Sequence, residues 1–115
     1  GFLLMAVHPF FNLSKLQAIH AFSFGGIGVA TLSMMARVSL GHTGRDVKNP
    51  SVAVTVALAV LIVGGIFRVG LPLIAANHYL IWMLISQILW IAAFMIFVIT
   101  YAAMLIKPRV DGQYG

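Results

Sequence analysis

Polar and apolar positions along this chain come in long blocks and do not alternate. Residues 16–40 are mainly apolar or small, and a polar stretch, GHTGRDVKNPS, follows at 41–51. A second apolar block reaches about Ala76, and a third runs from about Tyr79 to Ile106. Each exceeds the ~20 residues that carry an α-helix across a bilayer. The pattern predicts membrane-spanning helices at about 15–40, 50–76 and 79–106. Ser14 and Gln17 form a capping box at the start of the first, and Gly41 is the expected C′ residue at its end. Asn49 and Pro50 are the expected N-cap and first helical position of the second. Pro108 stops the third. Residues 1–7, GFLLMAV, read as the tail of an earlier span, broken at His8-Pro9. The expected fold is all-α: a polytopic transmembrane helix bundle with three full spans plus the end of an earlier one.

Composition makes lipid the solvent. Of 115 residues, 62% are hydrophobic and only 8% charged, where a soluble domain carries roughly a quarter charged. The mean hydropathy is +1.06. The net charge of +5 would point to nucleic acid in a soluble protein, but here the basic residues mostly flank apolar blocks. That is a topology signal, so the bilayer is the expected partner and nucleic acid is not. Arg37, Arg45, Lys48, Lys107 and Arg109 lie on one side and Lys15 alone on the other. The positive-inside bias then puts the 41–50 loop and the C-terminus in the cytoplasm. Tyr79 and Trp82 fall at the outer interface and Tyr101 near the inner one. The absence of Cys excludes disulfides, thiolate metal sites and covalently attached c-type haem within the chain. The chain opens on Gly1 with no signal-peptide pattern, so it is expected to be part of a longer membrane protein. Ala21/Gly25 and Gly26/Ala30 are small-xxx-small pairs, expected to let a neighbouring helix come close.

Ionisable groups inside the bilayer carry the candidate chemistry, because Arg at mid-helix costs at least roughly 2.5–3.5 kcal/mol. Arg68 lies eight residues from the outer end of the second span, roughly 12 Å of helix rise. It can snorkel outward. Against that, both acidic residues, Asp46 and Asp111, fall on the other side. Its counter-ion must come from other chain, from lipid phosphate or from an anionic cofactor. Gly64 and Gly65 leave room beside it, and Pro72 frees its carbonyl. His20 sits six residues into the first span from the same side, roughly 9 Å of rise. Two readings of it stay open: a metal ligand, with Ser23 supporting it from the next turn, or a packing histidine bonded to a neighbouring helix. His8 and His78 lie near that surface as interfacial polar residues. His42 is roughly 33 Å of rise from His20 and serves a different place. The six Met residues read as packing. GHTGR lacks a phosphate-loop ending, and neither a nucleophile–base pair nor a carboxylate dyad is present, so no catalytic constellation is visible.

The stretch HAFSFGGIGVATLSMMARVSLGHTGR, residues 20–45, together with the closing PRVDGQYG, resembles the NnrS family of bacterial inner-membrane proteins. The resemblance implies a haem- and copper-containing protein of the nitric-oxide and nitrosative-stress response, of which this chain is the C-terminal part. Its partners would then include the remaining N-terminal spans of the same protein. The matching positions are His20, Arg37, Gly41, His42, Thr43, Gly44 and Arg45. His20 and His42 are the candidate metal ligands, and Arg68 is the candidate partner of a haem propionate. Turn geometry accounts for Gly41 and Gly44, and a cytoplasmic margin for Arg37 and Arg45. His42 and Thr43 are left as the core of an expected cytoplasmic site for copper or an anion, beside the reading of a plain turn.

Two other functions compete with a haem-copper protein. One is a transporter of small molecules or ions with Arg68 at a mid-membrane anion site. The other is a purely structural membrane subunit.

Overall fold

The computed structural model of the chain describes residues 2–7, 15–108, 110 and 112, and among these there is no strand. Three helices are long and apolar enough to cross a membrane: Lys15–His42, Val52–Ile74 and Ala76–Leu105, here the first, second and third spans. A short helix, Phe2–Val7, precedes them, and its Phe2 ring meets Phe22 edge-on at 4.7 Å. Ser14 and the His8-Pro9 break lie outside the described residues.

Several boundaries differ from those expected, each for a local reason. The first span runs past Gly41 to His42, because Gly41 is helical and the chain turns only at Gly44, φ 69°. The second starts at Val52, with Ser51 in extended conformation at its N-cap (φ −62°, ψ 148°). Asn49 does not cap it, since its side-chain amide donates to Asp46 Oδ2 at 2.6 Å and closes the loop on itself. That span ends at Ile74, where Ala75 breaks the helix (φ −134°, ψ 67°). Trp82 Nε1 donates to the Ala75 carbonyl at 3.0 Å, so the freed acceptor is satisfied from the third span.

The core draws equally on all three spans. Leu32, Ala36 and Leu40 of the first meet Val54, Ala57 and Leu61 of the second and Ala93, Phe97 and Tyr101 of the third. Each set recurs at three or four residues, so each helix offers one stripe inward. Phe97 and Tyr101 stack at 4.7 Å. In lipid such a core holds by close packing, not by escape from water. The closest approach is at Gly64, where an added Cβ would stand 3.2 Å from both Leu89 Cβ and Phe24 Cζ. Gly25 and Gly26 have no such close neighbour from another helix among the described residues. Gly25, Gly26 and Ala30 are exposed, and a Cβ on Gly25 would meet nothing within 4 Å among the described residues.

Two spans are irregular. The first widens into a π-helix over Ala21–Gly28, and the second over Ile66–Gly70. In the second the cause is Pro72, which has no N–H and whose ring crowds the carbonyl four residues back, that of Arg68. Leu71 N–H bonds instead to Ile66 O, five residues back. In the first, AFSFGGIG supplies three glycines that tolerate a wider turn. Where turns close at i+5, positions i and i+4 no longer share a face.

Candidate functional site

Both π-helical segments lie toward one end of the bundle, each packed on the α-helical part of the other span, and His20 and Arg68 meet there. His20 is the last residue before the first π segment, and Arg68 is the middle residue of the second. Arg68 Nη2 lies 3.2 Å from His20 Nε2. A guanidinium only donates, so the imidazole nitrogen accepts and the ring carries its proton on Nδ1. Arg68 Nη1 donates to the Met83 thioether of the third span, a weak acceptor. Arg68 Nε is buried and has no partner among the described residues. One guanidinium therefore ties all three spans together with no carboxylate among the described residues to balance it. An arginine stays charged even in apolar surroundings, so this arrangement calls for an anion.

His20 and Arg68 share a cavity of about 370 Å³ with Phe24, Gln87, Trp90 and Ile91. Its walls are mostly aromatic or aliphatic, with an imidazole, a guanidinium and an amide as the polar points. Such a lining suits a flat apolar ligand that carries an acidic group. Met83, Gln87 and Trp90 were not singled out from the sequence. The signal was there: Gln87 is the one amide inside Tyr79–Leu105, and Met83 and Trp90 flank it on the same helical face.

The other candidates lie elsewhere. Ser23 does not support His20, because its hydroxyl donates to its own helix at Ile19 O, 2.9 Å away. His78 is exposed and leans edge-on against Trp82, with ring centres 6.2 Å apart. His8 lies outside the described residues.

GHTGRD is built as a helix terminus. Arg45 N–H reaches back to Leu40 O at 2.9 Å and Gly44 N–H to Gly41 O at 3.2 Å, the paired bonds of a Schellman motif. Thr43 is buried, and its hydroxyl bonds to the Ser39 and Leu40 carbonyls at 2.9 and 3.1 Å. Thr43 thus has a turn role that the sequence did not reveal. Asp46 accepts from Lys48 N–H at 2.8 Å and from the Asn49 amide. Arg45 Nη1 is buried and unpartnered among the described residues. His42 is exposed at the far end of the first span from His20, and Arg37 is exposed one turn inside it. Among the described residues no three His, Cys, Asp or Glu gather as a metal would require.

No curated protein and no solved structure is significantly similar to the chain. The model of one family, described as NnrS protein, matches residues 1–109. That match takes in all three spans, both π segments and the His20–Arg68 pair, and the chain belongs to the NnrS family.

Proposed function

We propose that this chain is the haem-gripping part of an integral membrane protein of the nitric-oxide response, set in the bacterial inner membrane with its C-terminus in the cytoplasm. One observation carries the reading. Arg68 is a charged guanidinium six residues inside the end of an apolar span, with a buried and unpartnered Nε and no acidic partner among the described residues. A haem propionate held by Arg68 would supply the missing charge through a charge-assisted pair. His20 stands beside it to offer an imidazole nitrogen, and Phe24, Trp90 and Ile91 offer apolar walls.

Haem, when bound, would supply an iron able to bind nitric oxide. The chain's own residues bind and orient. Arg68 holds negative charge at the cavity wall. The lone pair of His20 Nε2 goes either to Arg68 or to a metal, so a ligand at that nitrogen requires Arg68 to turn away to its anion. The described residues do not fit copper in the same way, since His42 is a lone exposed imidazole with no gathered donor set around it.

A visible absorption spectrum of the purified full-length protein tests the proposal. A Soret band with stoichiometric iron supports it. A colourless, metal-free preparation favours the second reading, a transporter whose anionic solute binds Arg68, because the same uncompensated guanidinium serves either ligand.

A further inference from the structure

A second cavity of about 370 Å³ opens between the first and second spans, at the end of the bundle opposite His20 and Arg68. Arg37 and Lys48 stand at its rim, Ala36, Leu40, Val54 and Leu58 form its walls, and among the described residues no acid lines it. Asp46 is close in sequence but engaged within its own loop, one oxygen taken by Lys48 N–H and the other by the Asn49 amide. Neither the Arg37 guanidinium nor the Lys48 ammonium has a partner among the described residues, and both residues are exposed. We infer that this groove binds one anionic phospholipid, with its phosphate between Arg37 and Lys48 and the start of an acyl chain along Leu40, Val54 and Leu58.

Charge and depth both select this occupant. Two cations at the margin of an apolar span, with no acid facing them among the described residues, match a phosphate that carries net negative charge. The guanidinium and the ammonium come from different elements, the first span and the 43–51 loop, so they approach one phosphate from two directions. Below them the lining turns apolar. It reaches Leu58, six residues past the start of the second helix at Val52, or roughly 9 Å of rise. That is the order of a lipid, polar at the rim and hydrocarbon beneath. Ser33 lies one turn inside Arg37 and places a hydroxyl at the depth of the glycerol esters. A free phosphate would use the rim and leave the walls bare. A zwitterionic lipid would fill the walls but bring its own cation to the rim. The inference does not depend on haem.

The test is native mass spectrometry of the full-length protein, titrated with phosphatidylglycerol or phosphatidylcholine of the same acyl chains. Phosphatidylglycerol should bind more tightly. Arg37→Gln and Lys48→Gln should each weaken that preference about fivefold. Lys107→Gln, at the same end but outside the groove, should leave it unchanged. If Arg37→Gln does not accumulate, the loop variant Lys48→Gln still decides the matter. Equal affinity for the two lipids would overturn the inference, as would an equal loss in Lys107→Gln. So would inorganic phosphate alone raising the melting temperature as much as the anionic lipid does.

Discussion

His20 Nε2 accepts from Arg68 Nη2 at 3.2 Å across 48 positions of sequence, joining the first span to the second at the point where both helices widen. The pair is local chemistry and global architecture together. Pro72 forces the π turn that carries Arg68, the glycines of AFSFGGIG permit the one that follows His20, and the third span closes the group with Met83. Arg68 cannot sit there without consequence. A cation held in apolar surroundings by an imidazole and a thioether still lacks an opposite charge among the described residues.

Close packing at the centre of the bundle depends on Gly64. Gly64→Ala puts a methyl group 3.2 Å from Leu89 Cβ and from the Phe24 ring, and Phe24 also lines the His20–Arg68 cavity. The full-length variant should lose about 1–3 kcal/mol of stability. Thermal unfolding in detergent checks this, and a melting temperature equal to wild type would mean that the spans are less tightly packed there.

The two glycines of GHTGRD should respond in opposite ways. Gly44→Ala forces a side chain into φ 69° and should cost about 1–2 kcal/mol. Gly41 is helical and exposed, so Gly41→Ala should be neutral or stabilise by roughly 0.5–1 kcal/mol. Melting temperatures of the two variants side by side decide the point. Equal losses would mean that Gly41 serves something other than the turn.

The three spans were legible because lipid demands long apolar blocks and the chain has nothing to dilute them. The shared depth of His20 and Arg68 was legible too, from counting residues inward from one end. Their direct contact was not, since it depends on which helices are neighbours. The π segments also escaped. Pro72 announced a freed carbonyl, but a single-sequence pattern assumes 3.6 residues per turn throughout. Thr43 looked like surplus chemistry because its hydroxyl partners are main-chain carbonyls, which composition does not display.

The proposed cytoplasmic C-terminus rests on the crowding of Arg37, Arg45, Lys48 and Lys107 at one end of the bundle. A reporter that works only in the cytoplasm should be active when fused after Gly115. Activity from a periplasm-dependent reporter alone would invert the topology and put His20 and Arg68 at the inner face.

The central claim is that His20 and Arg68 hold one haem, and haem content per protein in full-length variants tests it most directly. His20→Ala and Arg68→Gln should each purify at normal abundance with less haem, and Arg68→Gln should also shift the haem potential. Losing a hydrogen bond to a charged group costs at least about 1.5 kcal/mol, roughly tenfold in affinity. Arg68→Lys should fall between wild type and Arg68→Gln, because it keeps the charge and loses the bidentate fork. Haem content and potential equal to wild type in both His20→Ala and Arg68→Gln would contradict the account, and loss of uptake of an anionic solute in that same Arg68→Gln protein would make the site a transporter's.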